Sequence, residues 1–162
     1  MKNFAVIFMI LLGVWVMLNN TFQTEVLVAG VIIAFVISAI ACRRCELFKD
    51  LKLTPKSMIY TIVYFIVFFF ELLKSNIDVT LRVLNPSLPI NPGIVEVKTV
   101  LKSKYARMVL ANSITLTPGT LTVEIVDDSL FIHWIDVESE DIQEASEKIV
   151  GNFEKYLKEI FG

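Results

Sequence analysis

The chain of 162 residues contains only two cysteines and one histidine. A structural zinc site takes about four ligands, and this chain has only three Cys and His side chains to offer. The cysteines stand close together as Cys42-Arg-Arg-Cys45, whereas His133 lies far away along the sequence. A redox pair, half of a metal site and palmitoylation are alternative uses of the cysteines. The simplest interpretation is two ordinary cysteines at a membrane edge, with no metal and no cofactor.

A basic surface is also missing, which argues against nucleic acid as a partner. Residues 74–162 carry nine Lys or Arg against thirteen Asp or Glu, a net charge of −4. One short segment, residues 43–57, is basic; its cations are Arg43, Arg44, Lys49, Lys52 and Lys56. A basic segment beside a membrane helix favours contact with anionic lipid headgroups. We therefore expect membrane lipid, and no nucleic acid, among the partners.

Motifs of nucleotide binding and of nucleophilic catalysis are absent as well. The chain has no Walker pattern, no Gly-rich repeat and no Gly-x-Ser-x-Gly elbow. A run of hydroxyl side chains between Ser113 and Thr122 is therefore interpreted as a helix end, a turn and a strand face. His133 is an alternative proton relay, but no partner acid or nucleophile lies near it in sequence. We expect no enzymatic activity.

What the chain has in excess is apolar residues, which make up 55% of it and concentrate before residue 74. Three apolar segments, at about 4–18, 26–42 and 55–84, predict three transmembrane helices within residues 1–84. The first two are shorter than the roughly 20 residues of a comfortable span, so we expect tilt or local bilayer thinning. A signal peptide is the alternative for the first segment, although no Ala-x-Ala-like site follows it.

The third segment has clear boundaries. Thr54 is a suitable N-cap, Pro55 suits the first helical position, and Asn85-Pro86 ends the helix. Thirty residues correspond to about 45 Å, so one end should project beyond a bilayer core. Polar residues fall on one helical face, at Tyr60, Tyr64, Glu71, Ser75, Asp78 and Arg82.

Glu71 in this row has two interpretations. A carboxylate near hydrocarbon is costly and often serves a proton or cation pathway, which makes Glu71 a candidate pathway residue. The plainer interpretation, which we favour, is an interfacial carboxylate paired with Lys74 one turn later.

After a linker at residues 85–93, residues 94–162 predict a small soluble α+β domain in the order β-α-β-β-α. Strands are expected at 94–100, 120–126 and 129–135, and a helix at 103–114. Pro118-Gly119 predicts a type II turn with a positive φ at Gly119. The last helix is expected to begin after a Ser139 cap and to continue as one amphipathic helix to residue 160.

One segment is more specific than these patterns. Residues 110–123 read Leu-Ala-Asn-Ser-Ile-Thr-Leu-Thr-Pro-Gly-Thr-Leu-Thr-Val, and residues 130–136 read Leu-Phe-Ile-His-Trp-Ile-Asp. Both resemble the E subunit of multisubunit sodium/proton or cation/proton antiporters, the Mrp or Mnh type. The resemblance implies a structural or docking role, without catalysis, for Ala111, Asn112, Ser113, Thr115, Thr117, Pro118, Gly119 and Thr120.

The resemblance implies a non-catalytic accessory subunit, which packs against other antiporter-complex subunits in the cell membrane. The chain is too short to house a transporter core by itself. An equivalent small subunit of an archaeal membrane-bound hydrogenase or related respiratory complex is the first alternative. A free-standing membrane-anchored binding domain is the second.

The expected membrane orientation contains a conflict. By the positive-inside rule the basic segment at 43–56 is cytoplasmic, so three full spans would place the C-terminal domain outside. The family resemblance implies a cytoplasmic C-terminal domain. We prefer the resemblance, because partner subunits can set the orientation of a small subunit. The conflict also disappears if the first two short segments do not span independently.

Overall fold

The computed structural model describes residues 2–42, 50, 52, 54–139 and 141–162. It divides into two compact units, Met1–Leu51 and Lys52–Gly162. Arg43, Arg44, Cys45 and Lys49, and with them most of the basic segment, lie outside the described residues. The side chain of Cys42, the last residue of its helix, is outside them too. The uses of the two cysteines therefore stay predictions.

The first unit is a pair of helices, α1 (Lys2–Asn19) and α2 (Thr24–Cys42). Two contacts show that they run antiparallel. Phe4 near the start of α1 packs on Phe35 in the second half of α2, with ring centroids 5.3 Å apart, and Trp15 near the end of α1 contacts the start of α2. The Trp15 indole N–H donates to the carbonyl of Val26 at 2.9 Å. The ring also covers Gly30, where an added Cβ would stand 2.3 Å from it. The glycine therefore lets the tryptophan pack directly on the α2 backbone.

The second unit begins with α3 (Pro55–Leu84), whose bounds match the predicted 55–84. The Thr54 side chain accepts a hydrogen bond from the Ser57 N–H at 3.1 Å, as an N-cap does. Within the described residues, two helices are long and apolar enough to cross a membrane, Thr24–Ala41 and Pro55–Leu84, whereas the apolar part of α1, Phe4–Asn19, is shorter. The count of three spans therefore stays a prediction.

The remaining elements form a small α+β fold. They are β1 (Gly93–Lys98), α4 (Lys104–Leu116), β2 (Thr120–Val126), β3 (Ser129–Trp134), α5 (Ile142–Ile149) and α6 (Gly151–Phe161). The sheet is antiparallel with the order β1-β3-β2. Alternate residues Val95 and Val97 of β1 and Leu130 and Ile132 of β3 are buried. Helices α4, α5 and α6 pack on that side and complete the core with Leu110, Ile114, Ala145, Phe153 and Leu157.

The first strand ends earlier than expected. β1 stops at Lys98 rather than at residue 100, because the Glu154 carboxylate accepts hydrogen bonds from the Thr99 hydroxyl and from the Val100 N–H. The Thr99 N–H still donates to the carbonyl of Asp128, the next partner in the β1–β3 register, and the pairing ends there. A side chain 54 residues downstream thus ends the strand.

The expected C-terminal helix is two helices, and its predicted cap is wrong. Asp141, rather than Ser139, caps α5 by accepting from the N–H groups of Gln143 and Glu144. The helix is interrupted at Val150, just before Gly151, because glycine is a poor helix former. The break lets Ile149, Val150 and Phe153 all be buried. The order of the domain is therefore β-α-β-β-α-α.

We predict that Gly30→Val separates α1 from α2, since its side chain would overlap Trp15 and overpacking costs roughly 1–3 kcal/mol. The measurement is cross-linking of Phe4→Cys to Phe35→Cys by a short bismaleimide, in a background without Cys42 and Cys45. Gly13→Val is the matched control, because a Cβ there meets nothing within 4 Å. Equal cross-linking in the two valine variants would show that the hairpin does not depend on this contact.

Candidate functional site

The polar row of α3 faces the C-terminal domain. We call Tyr60, Tyr64, Glu71, Ser75, Asp78 and Arg82 the polar stripe. Four of its members contact residues of the domain, and Ser75 and Asp78 line a cleft beside it. Spacing alone had placed these residues on one face, and the structure shows that this face is the docking surface of α3.

At the N-terminal part of α3 the contacts are aromatic and ionic. The rings of Tyr60 and Tyr156 lie 6.5 Å apart, and those of Tyr64 and Phe153 lie 6.4 Å apart. Lys56 forms an ion pair with Glu159 at 2.7 Å. The hydrogen bond and the positive charge of Lys56 lower the pKa of the Glu159 carboxyl below its ordinary value. Helix α6 therefore runs antiparallel along this half of α3.

Tyr64 also connects α3 to the segment that carries the family resemblance. It is buried, and its hydroxyl is hydrogen-bonded to the buried hydroxyl of Ser113 in α4. Because Ser113 Oγ donates to the Val109 carbonyl at 2.8 Å, the Tyr64 O–H acts as the donor between the two hydroxyls. This bond joins residues 49 positions apart in the sequence.

Glu71 lies further along the same face. Its Oε1 accepts a hydrogen bond from the Asn152 amide of α6 at 3.0 Å, and its Oε2 is 4.0 Å from the Lys74 ammonium. The side chain of Glu71 is 25% exposed. The carboxylate is thus held by a domain residue that the sequence analysis had not identified. A role of Glu71 in a cation or proton pathway stays a prediction.

Arg82 closes the C-terminal end of the stripe. Its guanidinium donates to Asp78 at 2.7 Å, to Asp136 at 2.6 Å and to the carbonyl of Pro89 at 2.9 Å. One side chain therefore connects the end of α3, the following linker and the segment after β3. Because only 19% of the arginine side chain is exposed, these pairs are better shielded than ordinary surface ion pairs.

Between these contacts lies a polar cleft of about 470 Å³. Its lining includes the acids Glu71, Asp78, Asp136, Glu138 and Glu147 and the cations Lys74, Arg82 and Lys148. Lys148 pairs with Glu138 at 2.7 Å, and that hydrogen bond raises the pKa of the lysine. Within the described part of the chain, the structure brings together no three His, Cys, Asp or Glu side chains that could hold a metal ion.

The threonine side chains between Ser113 and Thr122 form hydrogen bonds within their own segment. Thr117 and Thr120 both donate to the carbonyl of Ile114 at 2.7 Å, and Thr122 donates to the carbonyl of Ala111 at 3.2 Å. Thr115 accepts from the Thr122 N–H at 3.2 Å. These bonds close the end of α4 and fasten β2 beside it.

The Pro118-Gly119 turn has the positive φ that the sequence predicts, 94° at Gly119. An added Cβ there would stand 3.1 Å from Ile135 and 3.5 Å from Val79 of α3. The Gly119 carbonyl accepts a hydrogen bond from the Ile135 N–H at 2.8 Å. The turn therefore sits where α3, α4 and the sheet meet.

Two of the predicted docking residues, Asn112 and Thr115, are exposed, whereas Ala111, Ser113 and Thr117 are buried. The exposed pair lines a groove between α4 and β2 together with Met108, Val123 and Ile125. His133 is exposed on β3, opposite Ile94 and Leu121 of the neighbouring strands. The docking role of the exposed residues stays a prediction.

We predict that Gly119→Val lowers the stability of the second unit by about 1–3 kcal/mol, because valine at positive φ is strained. Crowding against Ile135 and Val79 adds to that effect. The measurement is the thermal unfolding midpoint of the full chain in mild detergent, which should fall by several degrees. Gly151→Ala is the control, and its midpoint should not fall, since a Cβ at Gly151 meets nothing within 4 Å and alanine is the better helix former. Equal midpoints for both variants would contradict the role assigned to the turn.

Fold and site together define a class: a membrane-associated subunit whose small α+β domain is fastened along a long apolar helix. The family model described as Na⁺/H⁺ ion antiporter subunit matches residues 8–160, and the chain belongs to this family, MNHE.

Relatives of known name match over most of the chain. The E1 subunit of the Na⁺/H⁺ antiporter of Staphylococcus haemolyticus (strain JCSC1435) is 35% identical over 160 residues, which are 93% of this chain and 92% of the relative. The E subunit of the Na⁺/H⁺ antiporter of Bacillus subtilis (strain 168) is also 35% identical over 160 residues, 94% of this chain and 98% of the relative.

Among solved structures, a chain of the membrane-bound sulfane sulfur reductase, an archaeal respiratory membrane complex, is similar throughout. Its TM-score is 0.85 and its sequence identity 38%, and the alignment covers 98% of both chains. The family predicted from residues 110–136 is thereby confirmed.

Proposed function

We propose that this chain is a non-catalytic accessory subunit of a multisubunit sodium/proton antiporter in the cell membrane. Membership of the MNHE family over residues 8–160 is the observation that carries this proposal. The contacts of the polar stripe support it, because they fasten the domain to α3. The subunit would join the membrane helices to a cytoplasmic domain and complete the assembly, while larger subunits carry the ion paths.

The similarity to the archaeal respiratory complex supports a second candidate function. A chain 38% identical, aligned over 98% of its length with a TM-score of 0.85, belongs to a membrane-bound sulfane sulfur reductase. The second candidate is therefore the equivalent small subunit of a respiratory membrane complex. Genes for redox-enzyme subunits beside the gene for this chain would favour the second candidate, and genes for antiporter subunits alone would favour the first.

The central test is purification of the full chain from its native membrane in mild detergent, through a tag after Gly162. We expect recovery of a complex of several subunits, including large antiporter-type subunits. Identification of the recovered chains by mass spectrometry separates the two candidates. Recovery of this chain alone would instead support a free-standing membrane-anchored binding domain.

We predict that Glu71→Gln leaves sodium-dependent proton exchange in vesicles within about twofold of the unchanged complex, as exposed ion pairs contribute only about 0–1 kcal/mol. The glutamine keeps a side-chain oxygen for the Asn152 amide, so docking of α6 on α3 is preserved. Lys74→Gln is the matched control, since it removes the same pair from the other side. Lost exchange in Glu71→Gln alone, in fully assembled complexes, would place the carboxylate on an ion pathway.

A further inference from the structure

The outward face of helix α3 carries no charged residue and is apolar except at Asn76 and Thr80 in its C-terminal half, whose side chains donate to the helix backbone. The outward side opposite the polar stripe carries large apolar side chains that are 44–73% exposed: Met58, Ile59, Ile62, Phe65, Ile66, Phe69, Phe70, Leu73, Ile77, Leu81 and Leu84. Charged residues of α3 lie on the stripe or, for Lys56 and Lys74, at its border. The helix is therefore amphipathic along most of its length.

The domain lies along nearly the full length of the other face. Its contacts begin at Lys56, which pairs with Glu159, and end at Arg82, which pairs with Asp136. These positions are 26 residues apart, about 39 Å at 1.5 Å per residue. A bilayer hydrocarbon core is only about 30 Å thick. If α3 crossed the bilayer, part of the domain would have to lie in hydrocarbon.

The part at that depth would be α6. It runs beside the more apolar half of α3, the half that a bilayer would contain. On α6 the side chains of Lys155 and Lys158 are exposed, and those of Glu154 and Glu159 are partly exposed. Charged groups facing lipid at the bilayer centre are strongly unfavourable. The observed packing of α3 on α6 is therefore incompatible with a transmembrane α3.

We propose that α3 does not cross the membrane but lies in its surface. The apolar face enters the boundary between headgroups and acyl chains, and the polar stripe holds the α+β domain on the cytoplasmic side. This is the geometry of an interfacial amphipathic helix. In the sequence, α3 follows α2, a candidate span that ends at Cys42, after only residues 43–54. An in-plane position of α3 at the membrane surface is compatible with this short separation.

Lipid fits the apolar face better than a neighbouring membrane helix does. Close packing between membrane helices favours small residues, and α3 contains no glycine and no alanine; on its outward face only Asn76 and Thr80, both in the C-terminal half, are of the small or hydrogen-bonding kind. By contrast, α2 carries Gly30 where Trp15 packs against it. Lys56 and Lys74 stand at one border of the apolar face; they pair with Glu159 and Glu71 but stay 67% and 77% exposed, so their ammonium groups remain accessible to anionic headgroups.

An in-plane α3 also removes the conflict in membrane orientation. With α1 and α2 as the membrane hairpin, the basic segment at 43–56 and the domain lie on the same side. The positive-inside rule then places both in the cytoplasm, in agreement with the orientation that the family resemblance implies. This inference does not depend on which complex contains the subunit.

The test is labelling with a membrane-impermeant maleimide in native vesicles, using single cysteines in a background without Cys42 and Cys45. Lys52→Cys and Ser87→Cys flank α3 at exposed positions, and Gln23→Cys reports the turn between α1 and α2. We expect Lys52→Cys and Ser87→Cys to be labelled only in inside-out vesicles, and Gln23→Cys only in right-side-out vesicles. Labelling of the two flanking cysteines from opposite sides would show that α3 crosses, and labelling of both from outside would overturn the cytoplasmic placement.

The lipid partner is tested by a photo-cross-linking amino acid, benzoylphenylalanine, at two adjacent positions of the assembled complex. Phe69 is on the outward face and 54% exposed, whereas Phe68 contacts Phe153 with ring centroids 6.3 Å apart. We expect a phospholipid adduct from position 69 and an adduct within the same chain from position 68. A cross-link from position 69 to another subunit would overturn the assignment of lipid. Because the labelling pattern is read without any co-purifying subunit, its failure is distinct from a failure of the proposed function.

Discussion

The packing of the α3 polar stripe against the C-terminal domain is the constraint on which the second unit depends. A helix with polar groups on one side and bulky apolar groups on the other needs two different surroundings. The domain supplies the polar one, through Asn152 near the middle of α3 and Asp136 at its end. What remains for the membrane is a single apolar face, and the position of the domain relative to the bilayer follows from it.

Much of the fold could be predicted because its signals are local. Thr54, Pro55 and Asn85-Pro86 define α3 without any tertiary contact, and the structure gives the same bounds. The positive φ of Gly119 follows from a Pro-Gly pair in a turn, and the hairpin of β2 and β3 from alternation on both sides of Asp127-Asp128. The regular spacing of the stripe also placed its residues on one face.

The partners of the stripe could not be predicted, since nothing in the sequence marks them. Asn152, Asp136 and Ser113 are ordinary polar residues, and they gain their roles only when the chain brings them to α3 from 49 to 81 residues away. The early end of β1 has the same origin in Glu154. The split between α5 and α6 does have a local signal in Gly151, but the continuous apolar pattern on either side concealed it.

The contact between Glu71 and Asn152 spans 81 residues, which sets an order of events during synthesis. Helix α3 leaves the ribosome long before α6, so Tyr60, Tyr64 and Glu71 then lack their contacts with Tyr156, Phe153 and Asn152. Only when α6 emerges is the N-terminal half of the stripe covered. Helix α6 thus decides how a helix translated much earlier is presented to the membrane, and a premature stop before Gly151 would leave the N-terminal half of α3 without the surface that covers its polar side.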